Sequence, residues 1–446
     1  MSPKSVVYKK MCKDKSVGVY MGKRDFIDRV DSVEPVDGVI LIDPVLLKGK
    51  KVYVTLACTF RYGKDDMDIL GITFRRDIYL CTRQVYPALQ DKEQCTLTKV
   101  QEKLLQKLGE NGYPFFFEFP DNLPCSVGLQ PAPTDVGKHC AIEFEVKVFS
   151  AESQDAKVHK RSTVRLMIRK VQYAPENLGP APSVSFTRNF LMSDKPMHVE
   201  ASLEKQVGHV TIVALHTKPV HKRRVFTRLT YYHGEPIKVL VKINNESNRT
   251  VKNIILSVDQ TANVVLYSND SYMKTVATED SGDSLGQGGK MEKVYTLLPL
   301  LANNKERRGI VLDGKLKHED TNLASTSLIK KGVLKEVLGI LVSYRITVKL
   351  IVGTGSCYKV FQLACSFVVY FFSEIGLELP FQLMHPNPDS GNSGPYQFIR
   401  TFLFLYTFAL HDIIEDDEEV VFEEFKRSNV KGMGEDNEGN VSAGEQ

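Results

Sequence analysis

The strongest constraint on the fold of this chain is a period-two alternation of apolar and polar residues that recurs in short runs. The clearest runs are residues 52–60, 142–149, 164–171 and 237–243. Alternation in segments rich in Val, Ile, Tyr and Thr predicts strands that bury one face. Turn-rich clusters separate these runs, among them 34–38 and 131–137. Since the strands follow one another without alternating helices, the pattern predicts an all-β chain built from β-sandwiches.

One segment has a helical pattern instead. Between Thr98 and Gly109, apolar side chains recur at helical spacing, namely Val100, Leu104, Leu105 and Leu108. Thr98 and Gln101 are spaced for a capping box, and Gly109 suits the C-terminal end of a helix. The segment therefore predicts one short amphipathic helix in an otherwise all-β domain.

Length and composition exclude several classes of protein. A chain of 446 residues exceeds one ordinary domain, so two domains are expected. A net charge of +4, without a basic stripe, does not indicate nucleic-acid binding. Eight cysteines without a Cys-x-x-Cys pair, and an N-terminus without an apolar signal segment, indicate reduced thiols in a cytoplasmic protein. No Walker, HExxH or GxSxG motif occurs, so we expect no enzymatic activity, no cofactor and no bound metal.

The two ends of the chain carry opposite charge. The first 25 residues contain seven basic and two acidic side chains, whereas residues 412–446 contain twelve acidic and three basic ones. Opposite charges attract across a folded chain. This asymmetry predicts that the acidic tail occupies a basic site near the N-terminus until a more anionic ligand displaces it.

A Pro- and Gly-rich stretch at 174–182 predicts a domain boundary. We expect a first domain over 1–178 and a second over 179–385. Residues 386–446 are polar and acidic and are expected to form a flexible tail with a regulatory strand near 420–427.

Ten segments, in order along nearly the whole chain, resemble the arrestin family. They are residues 6–10, 22–25, 33–38, 60–63, 74–77, 123–127, 164–170, 232–236, 312–324 and 422–425. The resemblance implies two tandem arrestin-type β-sandwich domains and a C-terminal tail that folds back on the first. It also implies a function, namely the binding of activated, phosphorylated seven-helix receptors and the blocking of their G-protein coupling.

The resemblance implies a buried polar core between the two domains. Its members would be Asp25, Arg169, Asp313, Asp320 and Arg427. Carboxylates and guanidinium groups pair in a bidentate manner, and removing one partner of a buried set leaves a charge uncompensated, at a cost of about 3–5 kcal/mol. Such a network suits a trigger better than it suits a stabilising contact.

A second restraint implied by the resemblance is an apolar clasp between the first strand, the short helix and the tail. Its members would be Val6, Tyr8, Val100, Leu104, Leu108, Val420, Phe422 and Phe425. Phe422 and Phe425 lie among acidic residues, which suits an apolar anchor with a polar rim.

Lys9 and Lys10 match the phosphate sensors of the family. Further basic residues are expected to extend this patch: Lys13, Lys15, Arg24, Lys107 and Lys317. A phosphorylated side chain carries a charge of about −1.5 to −2 and three acceptor oxygens. It is therefore expected to draw these cations away from the tail, so that the tail leaves and the domains rotate.

Receptor and membrane contacts are also implied by the resemblance. The family's finger loop, which enters the activated receptor, corresponds to a Gly-bounded loop that includes Gly63, Asp66, Met67, Asp68, Ile69, Leu70 and Gly71. The edge that touches the membrane corresponds to the chain near Leu191.

Within the family, residues 117–124 and 298–305 look most like the visual members. The tail has no clathrin box, and Asn429 stands where the clathrin-adaptor motif needs arginine. We therefore expect binding of light-activated, phosphorylated opsin, in rod or cone outer segments, and blocking of transducin coupling. A non-visual arrestin serving endocytosis is the alternative, and a structural β-sandwich scaffold without a receptor is a third class. Self-association stays open.

Three stretches depart from the family pattern. They are residues 208–230, 357–372 and 394–411. The apolar runs 360–372 and 398–410 are about 13 residues each, shorter than the roughly 20 needed to span a bilayer as a helix. Long inserts and exposed apolar runs are unusual in a compact domain, which favours retained non-coding sequence. The alternative is an enlarged membrane-facing edge, to which 357–372 would contribute.

Overall fold

The computed structural model describes most of the two strand-rich halves of the chain and a short segment of the tail. The described residues are 6–30, 32–64, 75–88, 96–121, 123–132, 134, 138–154, 156, 158–174, 180–190, 193–203, 206–212, 220–226, 229–266, 270–314, 321–329, 339–353, 359–362, 365–368, 372–385 and 421–424.

The described residues of the first half form ten strands. They are β1 (Val6–Met11), β2 (Val17–Met21), β3 (Asp25–Asp28), β4 (Val36–Ile42), β5 (Lys51–Lys64), β6 (Arg75–Tyr86), β7 (Gly112–Phe117), β8 (Val127–Leu129), β9 (Lys138–Ala151) and β10 (Thr163–Gln172). One sheet includes the order β1-β2-β4-β7, and the other includes β8-β9-β10-β3 with β5 and β6 attached through β9. Buried side chains of both sheets belong to one apolar cluster, as expected of a sandwich. We call this unit the first sandwich.

In the second half, the residues that the structure describes before the tail form fourteen strands. They are β11 (Ser183–Arg188), β12 (Met197–Leu203), β13 (Gln206–Ile212), β14 (Val220–Phe226), β15 (Thr230–Tyr232), β16 (Ile237–Asn245), β17 (Thr250–Val264), β18 (Asp270–Asp280), β19 (Lys290–Leu297), β20 (Val311–Asp313), β21 (Ile340–Gly353), β22 (Lys359–Gln362), β23 (Cys365–Val368) and β24 (Phe372–Met384). Two sheets, ordered β11-β12-β16-β19 and β15-β24-β21-β17-β18, form the second sandwich.

The period-two pattern of the sequence corresponds to the observed burial. Along β16, Ile237, Val239, Val241 and Ile243 are all buried, whereas the side chains between them are at least partly exposed. Because alternate side chains of a strand point to opposite faces, only one face of β16 enters the core. The predicted all-β fold class is therefore confirmed.

Strand β20 connects the two halves. It belongs to the second half by sequence but pairs antiparallel with β8 of the first sandwich, with Asp313 opposite Val127. A second connection is the isolated parallel bridge between Tyr173 and His385. These two contacts place the loop after Asp313 and the end of β24 at the junction of the sandwiches.

The predicted helix is present as α2 (Lys99–Leu108), after a one-turn helix α1 (Pro44–Leu47). Thr98 Oγ1 accepts a hydrogen bond from the Gln101 main-chain N, and Gln101 Oε1 accepts one from the Thr98 main-chain N, which completes the expected capping box. Short 3₁₀ turns cover Gly109–Asn111, Lys160–Ser162 and Leu301–Asn304. Among the described residues, no helix has the length and apolar character needed to cross a bilayer.

Two of the three stretches that depart from the family pattern contain hairpins. β13 pairs with β14, and β22 pairs with β23, and each pair forms a separate two-stranded sheet. Neither hairpin adds a strand to the sheets of the second sandwich. Residues 394–411, the third stretch, lie outside the described residues.

Gly38 marks a close approach inside the first sandwich. A Cβ atom at this position would lie 2.6 Å from the main-chain oxygen of Tyr20 and 2.8 Å from the ring of Phe115. Both neighbours belong to packed strands, so they cannot move away without disturbing the sheet.

We expect Gly38→Ala to destabilise the protein by about 1–3 kcal/mol through overpacking. The measurement is the free energy of unfolding from a urea titration. Gly376→Ala is the matched control, because Gly376 also lies in a strand but a Cβ there meets no atom within 4 Å. Equal stability of the two variants would contradict the proposed close packing at Gly38.

Candidate functional site

An ion pair forms where β3 and β10 run parallel. Their register places Arg169 directly opposite Asp25. The Arg169 guanidinium donates to both carboxylate oxygens of Asp25, from Nε to Oδ1 at 2.7 Å and from Nη2 to Oδ2 at 2.5 Å. Only 9% of the Arg169 side chain is exposed, against 46% for Asp25. The pair is therefore bidentate and lies at the edge of the sandwich core.

Arg169 also contacts the loop that follows β20. Its Nη1 donates to the main-chain oxygen of Gly314 at 2.8 Å. Gly314 lies close to the Arg169 side chain, since a Cβ there would be 3.4 Å from its Cγ. One guanidinium thus connects β3 of the first sandwich to the loop beside Asp313.

The Asp313 carboxylate is buried beside two histidines and a serine. It accepts hydrogen bonds from the Ser325 main-chain N at 3.0 Å and from His385 Nε2 at 2.7 Å. Burial by itself would raise the pKa of Asp313. The hydrogen bond and charge of His385, the charge of His233 and the Ser325 N–H outweigh burial and lower this pKa. Asp313 is therefore held as a carboxylate.

The structure brings three of the five predicted polar-core residues to one region. Asp25, Arg169 and Asp313 are described, whereas Asp320 and Arg427 lie outside the described residues. Arg169 contacts Asp25 directly and reaches the Asp313 loop through Gly314. The five-membered core stays a prediction.

A second buried ion pair lies one residue further along β10, and sequence reasoning missed it. Lys170 Nζ donates to Asp28 Oδ2 and to the main-chain oxygen of Leu123, with Cys125 Sγ at 3.7 Å. Burial alone would lower the pKa of Lys170, but the charges of Cys125 and Asp28 outweigh it and raise this pKa. The signal that could have revealed this pair is Lys170 itself, a second cation directly after Arg169 in a strand that is otherwise largely apolar.

A tail strand, β25 (Val421–Glu424), pairs parallel with β1. The register sets Phe422 opposite Val7, Glu423 opposite Tyr8 and Glu424 opposite Lys9. Residues 421–424 of the acidic tail therefore lie along the basic first strand and form the edge strand of that sheet. This is the arrangement that the charge asymmetry of the two ends predicted.

Helix α2 packs on the same sheet. Leu104 is buried in a small cluster with Val7, Tyr20 and Val39, and Leu105 and Leu108 pack against it. Val100 is 38% exposed, so it contributes less to this cluster than expected from the helical stripe. Tyr8 lies in β1 and contacts the Arg24 guanidinium, which stands 5.2 Å from the Tyr8 ring centroid.

The remaining predicted members of the clasp are less fully described. The backbone alone is described for Val6 and Phe422, and Val420 and Phe425 lie outside the described residues. The strand pairing and the helix packing occupy the same sheet, but the contact between the tail side chains and the helix stays a prediction.

The described members of the predicted phosphate-binding set lie in β1, in the turn after β1, just before β3 and in α2. Lys9 and Lys10 lie in β1, and Lys10 Nζ donates to the main-chain oxygen of Arg165 at 3.1 Å. Arg24 is buried, and its main-chain oxygen accepts from the Arg169 main-chain N at 2.8 Å. Three further predicted members are exposed, namely Lys13, Lys15 and Lys107. Lys317 lies outside the described residues.

The predicted finger loop connects β5 to β6. Gly63, near the end of β5, has φ 109°, a conformation that favours glycine. The other predicted loop residues lie outside the described residues, namely Asp66, Met67, Asp68, Ile69, Leu70 and Gly71, and the same holds for Leu191.

The chain belongs to the arrestin family. Residues 17–174 match the model of the N-terminal domain of arrestin (or S-antigen), and residues 216–388 match the model of its C-terminal domain. Arrestins are non-enzymatic signalling adaptors, which confirms the expectation that the chain is not an enzyme. Membership of this family indicates binding to G-protein-coupled receptors.

Within the family, the chain is similar to S-arrestins of several vertebrates. It is 50% identical over 429 residues to S-arrestin of Xenopus laevis, covering 96% of this chain and 94% of the relative. It is 49% identical over 440 residues to S-arrestin of Homo sapiens, covering 98% of this chain and 95% of the relative. It is 48% identical over 437 residues to S-arrestin of Mus musculus, covering 97% of this chain and 95% of the relative. This similarity supports a visual arrestin, and the non-visual alternative is not favoured.

Proposed function

We propose that this protein binds light-activated, phosphorylated opsin and thereby blocks transducin coupling, which ends the light response. The binding would be triggered when receptor phosphates displace the tail and disturb the polar core. The observation that carries this proposal is the parallel pairing of β25 with β1, which sets Glu424 opposite Lys9.

The tail and a receptor phosphate compete for the same basic strand. A phosphorylated side chain offers three acceptor oxygens and about −1.5 to −2 charge, more than one glutamate offers. Phosphates that bind Lys9 and Lys10 would weaken the attraction that holds β25, and a four-residue edge strand has few backbone hydrogen bonds to retain it. Release of the tail is therefore the expected first response.

The polar core would link this release to movement between the sandwiches. Arg24 and Asp25 are consecutive, so a phosphate held near Arg24 would also lie near Asp25, and its negative charge would compete with that carboxylate for Arg169. If Arg169 leaves Asp25, its hydrogen bond to Gly314 loses its fixed geometry. The junction loop beside Asp313 would then be free to shift, and the two sandwiches would rotate.

The proposed site of action is the cytoplasmic face of the photoreceptor outer segment. The protein would contact the membrane peripherally while bound to receptor, through the edge near Leu191 and the finger loop that follows Gly63.

The decisive experiment is a centrifugation assay with membranes that hold opsin in four states, dark or lit, and phosphorylated or not. Strong retention is expected only in the lit, phosphorylated state. The double variant Lys9→Ala with Lys10→Ala is expected to lower that retention about tenfold or more, because charge-assisted hydrogen bonds to phosphate are lost.

The matched control is Lys50→Ala with Lys51→Ala, an adjacent lysine pair on the same sandwich that lies outside the predicted patch. It should bind like the wild type. Equal retention in all four states would indicate nonspecific adhesion to the membrane, and absence of retention in any state would contradict an opsin-binding function.

Arg169→Gln is expected to reduce the dependence on phosphate. The substitution removes the charge that pairs with Asp25, and a charge-assisted hydrogen bond contributes about 1.5–3 kcal/mol. Retention on lit, unphosphorylated membranes should therefore rise about tenfold. Arg345→Gln is the control, because Arg345 pairs with Glu378 on the second sandwich, away from the junction. Unchanged retention for Arg169→Gln would contradict a role of this ion pair as a restraint.

A further inference from the structure

Two histidines and a carboxylate converge at the junction of the sandwiches. His233, Asp313 and His385 offer one nitrogen or oxygen atom each, and these atoms all lie within 4.8 Å of one another. The two imidazole rings stand 4.7 Å apart, centroid to centroid. Among the residues that the structure describes, this is the one group of three or more histidine, cysteine or acidic side chains with such spacing.

The backbone places the two histidines side by side. β15 and β24 are parallel neighbours, and their register ends with Tyr232 opposite Met384. His233 directly follows β15, and His385 directly follows β24. The His233 main-chain N donates to the Met384 main-chain oxygen at 3.1 Å. Adjacent parallel strands thus carry the two imidazoles at one edge of the sheet.

His385 is fixed on its other side by the first sandwich. Its main-chain oxygen accepts from the Ala174 main-chain N at 2.9 Å, and its ring stacks on Tyr173 at 5.4 Å. Asp313 is fixed by the Ser325 main-chain N, which donates to Oδ1 at 3.0 Å. Oδ1 is therefore oriented by the backbone, whereas Oδ2 faces His385 Nε2 at 2.7 Å.

The spacing of these three groups suits a tetrahedral metal ion. Ligand atoms at 2.0–2.2 Å from zinc stand about 3.3 Å apart, so adjustments of about 1 Å would bring them to coordinating positions. The metal would replace the hydrogen bond between His385 and Asp313 and release its proton. Ser325 Oγ stands 3.2 Å from His233 Nε2 and 3.5 Å from Asp313 Oδ2. Zinc sites with three protein ligands keep a water molecule in the fourth position, so a water would complete this one.

The donor set and its surroundings favour zinc over calcium or magnesium. Calcium and magnesium prefer oxygen ligands, whereas two imidazoles with one carboxylate suit zinc. The His385 side chain is 17% exposed, which leaves a path from solvent.

We propose that His233, Asp313 and His385 form a binding site for one Zn²⁺ ion at the junction between the two sandwiches. The ion would join three segments, namely the end of β15, the end of β20 and the end of β24. Because β20 pairs with β8 and His385 bridges to Tyr173, a bound ion would reinforce the contact between the first and second sandwiches.

This site differs from the expectation of the sequence analysis, which predicted no metal. The three ligands are separated by about 80 and about 70 residues along the chain, so no local spacing motif reveals them. Only the β15–β24 register and the position of β20 bring them together.

The test uses the full-length protein, freed of metal with a chelator and titrated with Zn²⁺ in competition with a chromophoric chelator. We expect one tight site per chain and a rise in the thermal unfolding midpoint with zinc. His385→Gln and His233→Gln should each weaken zinc affinity at least about tenfold and remove the thermal shift. His198→Gln is the matched control, because His198 lies in β12 and hydrogen-bonds to Thr187 instead. It should bind zinc like the wild type.

Cobalt(II) substitution tests the same site in the wild-type protein, so the result does not depend on how well the variants fold. Three nitrogen and oxygen ligands predict visible d–d bands of a tetrahedral cobalt centre without a near-ultraviolet band from thiolate. A thiolate band would assign the metal to cysteines and overturn the proposal. Absence of tight binding, or unchanged binding in both folded variants, would overturn it as well.

Discussion

The parallel register between β3 and β10 is the constraint on which the junction depends. It places Arg169 against Asp25 at bonding distance and leaves the third guanidinium nitrogen to hold Gly314. A shift of one residue would send the Arg169 side chain to the opposite face of the sheet. The apolar residues of β10 therefore set the position of Arg169, since they must enter the core while the guanidinium remains at the junction.

The arrangement joins two restraints of different physical character. The β25–β1 pairing is short, lies at a sheet edge and brings opposite charges together, so we expect an anionic competitor to weaken it. In the Arg169–Asp25 pair the Arg169 side chain is largely buried. Breaking the pair therefore leaves the buried Arg169 charge without compensation. Because Arg24 and Asp25 are consecutive, we propose that one anionic ligand acts on both restraints. A resting state held in this way would be stable and would remain sensitive to phosphate.

Local patterns in the sequence predicted the fold well, because strand alternation and the capping box are local signals. The burial of β16 and the Thr98–Gln101 cap both follow from residues close together in the chain. The polar-core and clasp residues came from family resemblance, and the structure describes only part of each set. The Lys170–Asp28 pair and the His233–Asp313–His385 cluster were missed, because they arise from the register of strands distant in sequence. The hairpins β13–β14 and β22–β23 were not predicted either, since the sequences around them resembled inserts without strand periodicity.

The central claim is that a phosphorylated receptor segment displaces β25 from β1. Hydrogen exchange of full-length protein tests it directly, with a multiply phosphorylated receptor-tail peptide and its unphosphorylated counterpart. We expect slow exchange, in the free protein, of the β25 amides that face β1, and at least tenfold faster exchange with the phosphopeptide alone, because these amides lose their partners on β1. Unchanged protection of β25 while the phosphopeptide is bound would contradict the account.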